Sequence, residues 1–134
     1  MNKKIVVIDD DLVTLETLKN RLTKEGFQVF SASDGKSGYD LVRSQKPDIV
    51  ISDLLMPKMH GLELCQKIKE DPRLKKTRVL LMTATYKTAA FRHEIDESGA
   101  DEFMEKPVDT LELMKRVYKL YAEIAGEEEK PPSS

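Results

Sequence analysis

The sequence predicts an α/β fold: a five-stranded parallel sheet of order 2-1-3-4-5 with helices on both faces, in a doubly wound (βα)5 arrangement. Apolar residues switch five times between short runs and stripes at helical spacing. The runs Ile5-Val6-Val7-Ile8 and Ile49-Val50-Ile51 are continuously β-branched, which suits strands covered on both faces. Right-handed crossovers leave few ways to order such units, and 2-1-3-4-5 is the common five-stranded one.

The elements follow in order. Ile5–Ile8 is the first strand. Leu12, Leu15, Leu18 and Leu22 then recur at helical spacing to about Lys24, and Gly26 supplies a stop. Phe27–Phe30 reads as the second strand. Residues 36–45 give a short helix weakened by Gly38. Pro47-Asp48 opens the third strand, Ile49–Ile51. Leu62, Cys65 and Ile68 mark one face of a helix ending near Asp71-Pro72. Arg78–Met82 is the fourth strand. A helix over 88–97 carries Phe91 and Ile95 at i, i+4 and stops at Gly99. Glu102–Met104 is the fifth strand. Asp109 and Glu112 make an Asp-x-x-Glu capping box ahead of a last helix reaching Ala125.

At 134 residues the chain fits one domain, expected over residues 1–125. Residues 126–134 hold a charged, Pro/Ser-rich stretch that reads as a disordered tail or the start of a linker. No apolar run approaches the roughly 20 residues of a membrane span, and the Met1-Asn2-Lys3-Lys4 start leads into only four apolar residues. The single Cys65 suits a reducing, cytoplasmic compartment. A net charge of −2 gives no global field toward nucleic acid or anionic lipid, so neither is expected as a direct partner.

In open parallel sheets, function gathers beyond the carboxyl ends of the strands. Those ends are polar here. The first strand leads into Asp9-Asp10-Asp11, the third into Ser52-Asp53, the fourth into Met82-Thr83-Ala84 and the fifth into Lys106-Pro107. With the first strand beside the third, Asp9, Asp10 and Asp53 converge. Three close carboxylates repel, and a hard divalent cation such as Mg2+ neutralises them while keeping coordination places for a phosphoryl group. Lys106 adds a fixed positive charge and Thr83 a hydroxyl donor. The set describes a site for handling a phosphoryl group.

These residues carry a resemblance. Ile5-Val6-Val7-Ile8-Asp9-Asp10-Asp11, Asp48 through Pro57, Gly61-Leu62-Glu63-Leu64, Leu80 through Ala84 and Gly99 through Pro107 occur in the order and at the strand positions of two-component response regulator receiver domains. The chain resembles that family over residues 3–125. The resemblance implies a flavodoxin-like fold and a histidine–aspartate phosphorelay. Asp53 is then the phosphoacceptor, attacking the phosphohistidine of a partner kinase. Asp9, Asp10, Asp53 and the Leu55 backbone carbonyl become ligands of Mg2+, with Mn2+ as an alternative. Lys106 pairs with a phosphoryl oxygen, Thr83 donates to another, and Phe103 is the aromatic switch. The Lys106–Pro107 bond is expected to be cis. Implied partners are a sensor histidine kinase or phosphotransfer protein, a downstream protein meeting the face of the fourth helix, fifth strand and fifth helix, and a second copy in a homodimer. The domain is read as a signalling module that assists its own phosphotransfer rather than as an enzyme.

Some positions depart from the commonest pattern. His60 stands where many receivers carry Asp and reads as a surface loop residue. Leu55 and Thr85 tune dephosphorylation in this family. Neither offers a carboxylate or amide to orient water, so slow self-dephosphorylation is expected. Plainer readings exist for single residues: Asp11 as a helix cap, Phe103 as core, Cys65 as a small buried hydrophobe, His93 as solvated. On the last helix, apolar residues fill about half the wheel. Either the helix is generously buried, or Leu113, Leu120 and Ile124 meet a partner.

Rival functions are a pseudo-receiver that never carries phosphate, a haloacid-dehalogenase-type phosphatase starting at Asp9-x-Asp11-x-Val13, and an FMN carrier. The intact acid pair with Asp53, Thr83 and Lys106 argues against the first. The phosphatases need further acids after their lysine and a longer domain. A flavin carrier needs a Ser/Thr/Gly-rich first loop, which is acidic here.

Overall fold

The computed structural model describes residues 3–56, 58–84 and 88–129, the stretches 88–92 and 128–129 by backbone alone. Strands and helices alternate: β1 (Lys4–Ile8), α1 (Leu12–Lys24), β2 (Gln28–Ala32), α2 (Gly35–Gln45), β3 (Ile49–Asp53), α3 (Gly61–Glu70), β4 (Arg78–Ala84), α4 (Thr88–Ser98), β5 (Glu102–Lys106) and α5 (Thr110–Glu129), with a short 3-10 turn at Pro72–Leu74. All four strand pairings are parallel, and the order is β2-β1-β3-β4-β5. This is the predicted flavodoxin-like arrangement.

Side chains alternate across each strand, so the β-branched runs feed both layers. Ile5, Val7, Ile49, Ile51, Leu80 and Met82 pack under α1 and α5. Val6, Ile8, Val50, Val79 and Leu81 pack under the helices of the other face, against Val42, Leu64, Cys65 and Ile68. Burying each such Leu or Ile stabilises the fold by about 2 kcal/mol. Both faces are dry, which explains the missing polar alternation.

Local chemistry sets the helix ends. Asp11 is extended, and its carboxylate accepts from the Val13 amide (3.1 Å) and the Thr14 hydroxyl (2.8 Å), capping α1. The Thr14 hydroxyl, with the Val13 and Thr14 amides, holds the Asp11 carboxyl below its ordinary range. Asp34 caps α2 through the Ser37 amide (2.8 Å). Asp109 accepts from the Leu111 amide (2.9 Å), but the Glu112 carboxylate turns to Arg116 (3.2 Å) rather than completing a capping box.

Several expectations need correction. Leu12 follows the α1 spacing yet is 65 % exposed, at the rim of an open recess that it lines with Leu15, Ser31 and Leu41. β2, β3, β4 and β5 each run two residues past the predicted ends at Phe30, Ile51, Met82 and Met104. Of the two readings of the last helix the buried one holds: Leu113, Leu120 and Ile124 belong to the core, and the partner surface is the reading that falls. α5 continues through Glu129, past Ala125 and into the stretch expected as tail. Its last turn is tied down by an ion pair between Glu127 and Arg78, a half-buried residue at the foot of β4. Residues 130–134, like Thr85, lie outside the described residues, as does the Phe91 side chain. Among the described residues no helix is long and apolar enough to cross a membrane.

Candidate functional site

Parallel pairing of β1 with β3 sets Ile8 opposite Ser52, so the next residues, Asp9 and Asp53, emerge side by side. Asp10 follows at the surface. Carboxylate oxygens of Asp9, Asp10 and Asp53 lie within 4.8 Å of one another. Asp9 is fully buried, and both its oxygens are held: Oδ1 accepts from the Asp11 amide (2.9 Å) and Oδ2 from Lys106 Nζ (2.7 Å). Lys106 reaches from the end of β5 and also stands 3.4 Å from Asp53 Oδ1. That oxygen accepts from the Leu54 amide (3.0 Å).

The electrostatics follow from this crowding. Burial first, and then the charge of Asp9, push the Asp53 carboxyl up to about 6; Lys106 works in the opposite direction. Burial disfavours the charge on Lys106, but the hydrogen bond to Asp9 and the charges of Asp53 and Asp9 outweigh it, and the ammonium ends above its ordinary range. Three carboxylates against one ammonium leave two negative charges in a mostly buried site. Such an all-oxygen, doubly negative donor set fits a hard divalent cation.

The neighbouring strand ends complete the surroundings. Thr83 is buried and directly follows Met82, which stands opposite Asp53 and whose carbonyl accepts from the Leu54 amide (2.7 Å). Lys106 stands opposite Ala84, and its bond to Pro107 is cis. Phe103, opposite Leu81, is half-buried against the α2–α4 layer and borders an open cavity of about 410 Å3 with Ile95, Ala100 and Arg116. Leu55 is half-buried in the loop after Asp53. His60 is exposed and precedes α3 without capping it. Cys65 is buried, and burial pushes its thiol up to about 11. His93 is exposed beside Glu97 (2.9 Å).

The family profile of the response regulator receiver domain matches residues 5–118. The chain belongs to that family. It is similar to the response regulator PleD of Caulobacter vibrioides, with 36% identity over 120 residues, or 90% of this chain and 26% of PleD. It thus spans about a quarter of the length of that curated relative. Among solved structures, a signal receiver domain of a Syntrophus aciditrophicus histidine kinase shares 29% identity at a TM-score of 0.84, covering 97% of this chain and 96% of the other. The chemotaxis regulator CheY4 of Vibrio cholerae, at 24% identity, shares the fold with a TM-score of 0.82 over 90% of this chain and 99% of the other. Receiver domains are signalling modules, and this one has the receiver order of strands and helices.

Two features of this receiver domain escaped the sequence reading. Arg116 donates to the Phe103 carbonyl (2.9 Å) and to Glu102 (3.0 Å), tying α5 to β5 beside the aromatic residue. Only its i, i+4 spacing from Glu112 was visible beforehand. Gly35 packs against the loop that follows Asp53. The sequence reading starts that helix at residue 36 and gives no sign of the contact; in the structure the helix starts at Gly35 itself.

Proposed function

We propose that this receiver domain is a Mg2+-dependent phosphoacceptor that takes its phosphoryl group from the phosphohistidine of a sensor kinase or phosphotransfer protein. The observation that carries the reading is the convergence of Asp9, Asp10 and Asp53 beside Lys106. Asp9, Asp10, Asp53 and the Leu55 carbonyl would hold Mg2+, or Mn2+ in its place. The ion supplies neutralisation of the charge on the transferring group.

The protein's own residues do the rest. An Asp53 oxygen forms the bond to phosphorus as the bond to the donor's histidine nitrogen breaks and the imidazole leaves. Lys106, held between Asp9 and Asp53, turns to a phosphoryl oxygen, and the Thr83 hydroxyl donates to another. Movement of Thr83 frees space for Phe103, and the α4–β5–α5 face changes for a downstream protein or a second copy. We place the switching unit in the sheet and its five helices, α5 included through Glu129, and its work in the cytoplasm. Self-dephosphorylation is slow in this reading.

Incubation with a labelled small phosphodonor and Mg2+ tests the proposal: the wild type takes up label and Asp53→Asn does not. Label on Asp53→Asn would refute the assignment. Beryllofluoride with Mg2+ should shift the amide resonances of Thr83 and Phe103. A pseudo-receiver would leave them unchanged.

A further inference from the structure

The loop after Asp53 closes on itself. The Leu54 carbonyl accepts from the Gly61 amide (2.8 Å), while the Leu54 amide is anchored to Met82 on β4. Gly61 permits this closure, since a Cβ there would stand 2.3 Å from the Asp53 carbonyl oxygen. The returning limb, through Lys58 and Met59, leans on a different element. A Cβ on Gly35, the first residue of α2, would lie 2.0 Å from the Met59 carbonyl oxygen and 2.7 Å from Met59 Cβ. Backbone therefore meets backbone. Beside this contact Lys58 Nζ stands 3.9 Å from Asp34, the α2 cap, and Lys58 holds a φ of 71°. That left-handed conformation is uncommon for a residue other than glycine, so neighbouring structure holds the limb in place.

We infer that Gly35 is a positioning residue for the metal site: the bare backbone at the start of α2 sets how closely the limb of Lys58 and Met59 approaches and, through the hydrogen bond from the Gly61 amide to the Leu54 carbonyl, where the adjoining Leu55 carbonyl sits. The inference rests on the proposed Mg2+ set of Asp9, Asp10, Asp53 and Leu55. A side chain at position 35 forces Met59 outward by about an ångström or more, since real Cβ contacts stay beyond 3.0 Å. Metal ligands held slightly out of place lose affinity as they do when a supporting contact is cut, by about tenfold. Gly38 is the natural comparison. It lies on the same helix, but a Cβ there meets the buried Ile8 side chain, at 2.5–3.0 Å, and not the loop after Asp53.

Isothermal titration with Mg2+ alone, on wild type, Gly35→Ala and Gly38→Ala at a temperature where circular dichroism shows each folded, tests the idea. Gly35→Ala should bind about tenfold more weakly, and Gly38→Ala should match the wild type while melting lower. Equal affinity for Gly35→Ala and wild type overturns the inference but leaves the metal site standing. Equal weakening in both variants also overturns it, because general destabilisation then suffices. A wild type that binds no Mg2+ overturns the metal site itself and the inference with it. If Gly35→Ala lacks a cooperative melt, Lys58→Gly, which relaxes the left-handed residue of the same limb, is titrated in its place: weaker Mg2+ binding supports the inference and unchanged binding overturns it.

Discussion

The Lys106 ammonium lies 2.7 Å from Asp9 Oδ2, and Asp9 has no exposure to solvent. The lysine is thus the counter-charge of a buried anion as well as a candidate partner for phosphate. Lys106→Met leaves Asp9 buried and unpaired. It should cost about 2 kcal/mol of stability in metal-free buffer, below the full cost of breaking a buried pair because Lys106 is partly wet. Added Mg2+ should recover part of the loss. Urea unfolding with and without Mg2+ checks this, and an unchanged midpoint would contradict it.

Asp53 gives a pH signature. Its carboxyl sits at about 6 in the fold, raised by burial and then by Asp9, against a reference value of 3.8. Between those values the folded state binds more protons than the unfolded chain. This group's contribution to stability therefore falls as pH rises from about 4 to about 6, and the penalty is complete above that. Asp53→Asn removes the penalty. Without Mg2+ the variant should be more stable at pH 8 by about 1–2 kcal/mol after allowance for solvent screening, an advantage that shrinks as pH falls through 6. Denaturation at several pH values reads it directly. An advantage independent of pH would contradict the crowding.

The foot of the sheet makes a separate prediction. The Arg78 side chain is 11 % exposed, and Glu127 on the last turn of α5 is its ion-pair partner. Glu127→Ala leaves a mostly buried guanidinium uncompensated. It should lower stability by about 1 kcal/mol, a modest figure because Glu127 is itself largely exposed. Amide exchange over the last turn of α5 should quicken with it. Unchanged exchange would show that the turn does not depend on the pair.

Strand-end residues were legible because the order 2-1-3-4-5 follows from run-and-stripe alternation, and that order alone sets β1 beside β3. Asp9 and Asp53 needed nothing further, whereas Lys106 comes from β5, two strands away from β3, and was marked only by the proline that follows it. Leu12 misled because helical spacing reports a shared side of the helix but not how much of that side is covered. The α5 end misled for a related reason: a run of glutamates reads as solvated until Arg78, from a strand far back in the chain, supplies a partner. Gly35 and Arg116 act through contacts between elements, and spacing within one element carries no trace of them.

Phosphoryl lifetime tests the departures at the site. Leu55 has no group to orient an attacking water, so the acyl phosphate should persist for minutes or longer after the donor is removed. Leu55→Asn, which adds an amide beside Asp53, should shorten it. Decay of label followed over time is the measurement, and loss within seconds in the wild type would contradict the expectation.

The most direct test locates the phosphoryl group. Borohydride reduces an acyl phosphate to homoserine, and peptide mass spectrometry then reports its position. After incubation with a small phosphodonor, the conversion should fall on the peptide holding Asp53 and should require Mg2+. Conversion at another residue, or to the same extent without the metal, would contradict the account.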